Sequence, residues 1–242
     1  MADSINLPPF AHVHGSVPGL SIVSNKRILW SGPSMSMDGD SKYNGIFSTF
    51  PDEGNTLESS LTYPNPFGNS FKTQFIEMLI SADEISDSIG GNPRKLSELG
   101  FFCVSPPNQS LPSYQIDIQT SSLLSLEGEN VSLTPGSTVF SGRGIKPKSN
   151  DWFFFPVGGS GFVWDGTSNI YISVCWSAIF GSQTDSGSSL VLNSVPLGDI
   201  QKTNVYRAND ADRACDFRAS PLKEWGFSRP CIALKWFVDD LV

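Results

Sequence analysis

Positive charge is scarce in this chain and nowhere clustered. Sixteen Lys and Arg stand against 24 Asp and Glu, a formal charge of −8 over 242 residues. Nucleic-acid binding needs grouped cations to meet phosphates, so that class of partner is excluded. Long apolar runs are missing too. None approaches the roughly 20 residues that cross a bilayer, so no membrane span is expected. The first 20 residues hold neither a basic n-region nor an apolar h-region. That predicts no signal peptide, and so a cytosolic product starting at Met-Ala-Asp or a chain whose leader has been removed. Only two histidines occur, both near the N-terminus, which makes a Ser-His-Asp triad improbable. No two of the four cysteines (Cys103, Cys175, Cys215, Cys231) have CxxC spacing, which argues against zinc. Two disulfides with three pairings are arithmetically open. Cys103 and Cys175 lie inside apolar runs, and both read as free, buried cysteines.

What is present favours sheets. Phe (17), Gly (22) and Pro (17) are frequent, and charged residues make up only 17%, below the roughly 25% of ordinary domains. Aromatics set between turn formers suit strands better than helices. Residues 1–60 are broken by Pro8, Pro9, Pro18, Pro33 and Pro51. They read as an extended N-terminal arm with two or three short strands. Residues 61–242 read as one β-sandwich domain. Within it, 71–80 fits either a helical face or a buried strand. Residues 82–85 predict a short helical turn, stopped by Gly90-Gly91 and Pro93. Runs at 99–104, 114–119, 131–140, 152–157 and 231–237 predict strands. In 114–119, Tyr114, Ile116 and Ile118 point inward while Gln115, Asp117 and Gln119 point out. The expected fold is therefore all-β: an antiparallel β-sandwich or jelly roll with an N-terminal arm and one short helical turn.

The most informative stretch is 162–176, FVWDGTSNIYISVCW. Asp165-Gly166 marks a turn. After Asn169 the pattern alternates, with Ile170, Ile172, Val174 and Trp176 on one face and Tyr171, Ser173 and Cys175 on the other. Together with Pro66-Phe67, the strand and following helical turn of Phe75–Ile85, the aromatic run 152–155, Cys215 and Arg229-Pro230, this stretch resembles a β-sandwich module. That module is common in large secreted proteins of gliding bacteria. The resemblance covers 63–237 and implies the sandwich fold, with an adhesive or carbohydrate-binding role. The sequence departs from that pattern at 190–197 and at Cys231.

Few constellations carry chemistry. His12-x-His14 has metal-ligand spacing, but one pair is too few ligands, and a polar dipeptide of the arm is the preferred reading. Asp38-Gly39-Asp40 offers oxygen ligands for Ca²⁺, set against a solvated turn, and the full calcium-loop motif is missing. No other cofactor is expected. Asp83 and Glu84 are adjacent and point apart on a helical turn, so they do not form a glycosidase pair. The aromatics at 152–155, Trp164, Trp176 and Trp236 read mostly as core. Trp225, in the loop-like stretch with Phe227, reads as a candidate exposed anchor for binding. With no acid–base pair identifiable, the chain is not expected to be an enzyme. The leading expectation is a virion structural protein, a capsid decoration or tail component. Here the module would have been borrowed by a phage and would bind neighbouring subunits, as a homo-oligomer, through its arm and loops. The alternative is an extracellular carbohydrate-binding or adhesion module.

Overall fold

Between residues 73 and 237 the chain passes repeatedly from one β-sheet to another. The computed structural model describes residues 20–23, 27–30, 43–48, 57–60, 65–68, 72–126, 137–158, 161–177, 188–192, 204–209, 224–226 and 229–237. Four short strands come first: β1 (Leu20–Val23), β2 (Arg27–Trp30), β3 (Tyr43–Ser48) and β4 (Leu57–Ser60). Then follow β5 (Thr73–Ile80), α1 (Ala82–Ile89), β6 (Arg94–Ser105), β7 (Ser113–Ser121), β8 (Thr138–Gly142) and β9 (Asp151–Pro156). Last are β10 (Phe162–Trp164), β11 (Asn169–Ser177), β12 (Ser188–Leu192), β13 (Asn204–Asn209), β14 (Glu224–Gly226), β15 (Arg229–Pro230) and β16 (Ile232–Phe237).

A six-stranded sheet has the order β14-β13-β5-β11-β7-β8. A ten-stranded sheet runs β1-β2-β3-β16-β6-β12-β15, with β9 and β10 also on β6 and β4 on β12. Successive strands therefore alternate between layers: β5, then β6, then β7–β8, then β9–β10, then β11. All the recorded pairings are antiparallel, which makes this an all-β sandwich. The short strands before residue 61 take part in it, because β3 pairs with β16 and β4 with β12.

The core between the layers is aromatic. Ile76, Met78 and Ile80 of β5, Tyr114, Ile116 and Ile118 of β7, and Ile170, Ile172, Val174 and Trp176 of β11 meet Leu99 and Phe101 of β6 and Ile232, Leu234 and Trp236 of β16. The inward set expected on β7 and β11 is the one found. The ambiguous run before residue 80 is a strand, because β11 pairs with it along its whole length from Ile170↔Ile80 to Ser177↔Thr73. A helix would have left that edge of β11 unpaired. Pro66-Phe67 belongs to a plug at one end. Phe67 is fully buried and meets Phe101 and Phe153 edge-on, each at 6.3 Å. Tyr114 Oη donates to Pro66 O at 3.1 Å, and Trp176 Nε1 and Gln74 Nε2 both donate to Gly68 O at 2.7 Å.

The helical turn is longer than its first four residues predict. Ser81 caps it, accepting the Glu84 N–H at 3.1 Å, and Asp83 and Glu84 complement the positive end of the helix dipole. Gly90, at φ +83°, ends it, as the Gly90-Gly91 pair predicts.

Candidate functional site

Among the described residues three groups of side chains could carry chemistry, and the first is the 164–169 corner. Asp165 is an Asx-turn residue. Its Oδ1 accepts the N–H groups of Thr167 (2.8 Å) and Ser168 (2.7 Å), and its Oδ2 accepts the Ser168 hydroxyl at 2.5 Å. Partial burial opposes its charge, but the hydrogen bonds from Ser168 and Thr167 outweigh that and hold its pKa below the ordinary 3.8. Trp164 Nε1 donates to Ser168 O at 2.7 Å and closes the corner. Gly166 has φ +86°, and a Cβ there would lie 2.2 Å from Gly91 O, so only glycine fits. Asn169 completes the knot. Its Oδ1 accepts the Ala82 N–H of α1 at 2.8 Å, and its Nδ2 donates to Leu123 O at 2.7 Å. The polar groups of the corner named above all hold chain to chain.

The second group lies on the outer face of the six-stranded sheet. Ser173 stands opposite Glu77 on one side and Asp117 on the other. The two carboxylates therefore share a row, two strand spacings or about 10 Å apart. Both are buried. Tyr171 Oη donates to Glu77 Oε1. Asp117 accepts Thr138 Oγ1 at 2.5 Å, Ser173 Oγ at 3.1 Å, and Gln115 Nε2 at 3.0 and 3.1 Å. Sequence reasoning weighed only Asp83 and Glu84 as a carboxylate pair. The signal for this one was Glu77, a charge inside the otherwise apolar run TQFIEMLI. The hydrogen bonds make the row an internal polar seam, joining four strands through side chains.

Glu84 has a different partner. Arg229 Nη2 pairs with Glu84 Oε1, and Arg229 Nη1 donates to Glu84 Oε2 and to Leu79 O, both at 3.2 Å. Both side chains are buried. The pair ties α1 to the strand just before β16, and Asp83 stays exposed.

The third group is on the outer face of the ten-stranded sheet. The aromatic run 152–155 divides by register. Phe153 and Phe155 join the central core, while Trp152 and Phe154 turn to the other face with Phe102, Cys231 and Ala233. The expectation that these aromatics are mostly core holds: Trp152 and Phe155 are buried, and Phe153 and Phe154 are half-buried. Trp152 and Phe154 stack with centroids 5.9 Å apart and planes 25° apart. The Phe154 ring lies over Gly100, its cross-strand partner, where a Cβ would come within 2.6 Å of it. Lys235 Nζ sits 3.5 Å from the ring centroid and 2.6 Å from Glu98 Oε2. The Lys235 and Glu98 side chains are 19% and 25% exposed, and Phe154 is half-buried. The Lys235 ammonium thus lies over the Phe154 ring, with the Glu98 carboxylate beside the ammonium.

Of the residues singled out from sequence, His12, His14, Asp38, Asp40 and Phe227 lie outside the described residues. Trp225 is in a strand and not a loop: it belongs to β14 and stands opposite Val205 of β13. Among the described residues no group of three or more His, Cys, Asp or Glu is placed to hold a metal ion, and no helix is long and apolar enough to cross a membrane. Cys103 is a free, buried cysteine as expected. Cys175 is not free: it is disulfide-bonded.

No family model matches the chain, and no curated protein matches it. Among solved structures it is similar to the cysteine protease and lectin-like domains of Cwp84, a surface layer associated protein of Clostridium difficile. Identity is 9% and the TM-score is 0.37, over 81% of this chain. The chain spans about a third (34%) of the length of that structure.

Proposed function

We propose that this chain is a non-enzymatic surface module that binds glycan on the outer face of its ten-stranded sheet. The observation that carries the reading is the half-buried Phe154 ring, laid over Gly100, with the Lys235 ammonium over the ring and paired to Glu98. A pyranose presents an apolar C–H face and a ring of hydroxyls. The half-buried Phe154, backed by the buried Trp152, offers apolar area for the first, and an ammonium donor beside a carboxylate acceptor matches the second. The disulfide at Cys175 favours a place outside the cytoplasm, as the extracellular alternative requires. The virion expectation places binding in the arm and loops, and the glycan reading rests on side chains described above. The Glu77–Asp117 row does not support hydrolysis, since Glu77 Oε1 already accepts from Tyr171, and both Asp117 oxygens accept from Ser173, Thr138 and Gln115.

Titration with soluble oligosaccharides, read by tryptophan emission, tests it. Trp152 adjoins the site, so wild type should show a saturable change that Trp152→Phe reduces. Phe154→Ala should weaken binding at least tenfold. Unchanged affinity in a folded Phe154→Ala protein contradicts the assignment.

A further inference from the structure

Positive charge reads as scattered along the sequence, but the loop between β8 and β9 gathers some of it. Three of the sixteen cations, Arg143, Lys146 and Lys148, fall within six residues, and residues 141–150 contain no Asp or Glu. All three are exposed, while Ile145 and Pro147 are buried. That alternation sets Lys146 and Lys148 on the same outward side. No carboxylate among the described residues forms an ion pair with any of the three. The acid nearest in sequence, Asp151, turns to its own chain, where its Oδ1 accepts the Trp152 N–H at 2.8 Å. The loop is held at two points. The Ile145 N–H donates to Leu111 O at 3.0 Å, and the Leu111 N–H to Ile145 O at 2.8 Å. Ser149 Oγ and the Asn150 N–H donate to Val104 O at 2.8 and 3.1 Å. Cations carried on an already ordered backbone lose less freedom when an anion binds. Val104 also fixes where the loop lies. Its side chain packs with Phe102 and Trp152 on the outer face of the ten-stranded sheet. Gly100, beneath the Phe154 ring, is four residues back along β6, about 13 Å.

We propose that the ligand of this face is an acidic glycan, and that Lys146 and Lys148, with Arg143 beside them, extend the site by taking its carboxylate or sulfate groups. The inference rests on the glycan reading, because Phe154 holds one sugar of the chain whose anionic groups reach the loop. An oligosaccharide of a few units spans the distance between them. An ammonium makes a charge-assisted hydrogen bond to an anionic oxygen, stronger than the bond it makes to a neutral hydroxyl. The net charge of −8 opposes a polyanion at long range. Exposed charges more than about 10 Å apart are screened at about 0.1 M salt, so the cations in contact decide the outcome. Nucleic acid is a poorer match, because its binding draws on more phosphate contacts than three cations supply.

Calorimetric titration of the full chain with oligogalacturonate, a sulfated galactan oligomer, a neutral galactan oligomer and a single-stranded DNA oligomer tests it. Wild type should bind one of the two acidic oligosaccharides at least tenfold more tightly than the neutral one, and the DNA more weakly than that. The double change Lys146→Gln with Lys148→Gln should abolish the preference and leave affinity for the neutral oligomer unchanged. Both lysines are exposed, so its thermal melt should match wild type. Equal affinity of wild type for acidic and neutral oligomers, or a preference that survives the double change, overturns the extension and leaves the glycan reading standing. DNA bound more tightly than either acidic oligosaccharide also overturns it. Binding of an acidic oligosaccharide that Phe154→Ala leaves unchanged overturns the glycan face itself, and no oligosaccharide bound overturns both.

Discussion

Asn169 holds Ala82 from the neighbouring strand, where Ile170 pairs with Ile80. Its Oδ1 takes the first N–H of α1 while its Nδ2 holds Leu123 O, so one side chain at the head of β11 fixes both a helix start and a loop. Asn169→Ala removes both bonds and leaves a helix N–H without its partner. A loss of about 1–3 kcal/mol is expected in urea unfolding. Asn169→Asp keeps the acceptor and loses the donor, and should cost less than Asn169→Ala by hydrogen bonding to Ala82 alone.

Arg229 and Glu84 form a buried pair, so removing one partner strands the other. Arg229→Met should cost about 3–5 kcal/mol. The double change Arg229→Met with Glu84→Leu should recover most of that, because no charge is then left in the interior. A double-mutant cycle by chemical denaturation measures the coupling.

The fold was legible because its periodicities are clean. Alternation at 114–119 and 170–176 predicts the inward faces found on β7 and β11, and Gly90-Gly91 marks the end of α1. Residues 71–80 were ambiguous because both faces of β5 are buried, which erases the period of two. Glu84's partner could not be read, since Arg229 lies 145 residues away and only tertiary packing brings them together. The same holds for Glu77 and Asp117, whose shared row follows from the register of three strands. Trp225 read as a loop residue because Lys223-Glu-Trp-Gly-Phe227 is too short and too polar to show alternation. The division of 152–155 into two faces was available from its period of two, but four consecutive large aromatics hide it. Cys175 gave no local sign of its bond, because a buried thiol and a buried disulfide sulfur occupy the same kind of apolar position.

Asp165 makes stability fall in acid. Its folded pKa is below 3.8, its ordinary value. Its contribution is therefore complete above pH 4 and is lost as pH falls through the folded value. Asp165→Asn should lower stability at pH 7 and flatten the decline below pH 4. Thermal melts of both proteins from pH 2 to pH 7 check it, and parallel curves would contradict the assignment.

Neighbouring aromatics on β9 should respond differently to truncation. Phe155 is buried, stacked on Tyr114 at 4.8 Å and edge-on to Phe101, Phe140 and Phe153. Phe155→Ala should cost about 3–5 kcal/mol. Half-buried Phe154 faces the other way, and Phe154→Ala should cost roughly half as much. Denaturation midpoints of the two variants measure the difference.

Segment 164–169 builds the sandwich, while the proposed recognition sits at Phe154, backed by Trp152. One glycan array tests it most directly, probed with wild type, Phe154→Ala and Asn169→Ala, each at a temperature where it is folded. Wild type should bind a defined glycan class, with binding retained by Asn169→Ala and weakened at least tenfold by Phe154→Ala. Binding unchanged in Phe154→Ala, or no glycan bound by wild type, would contradict it.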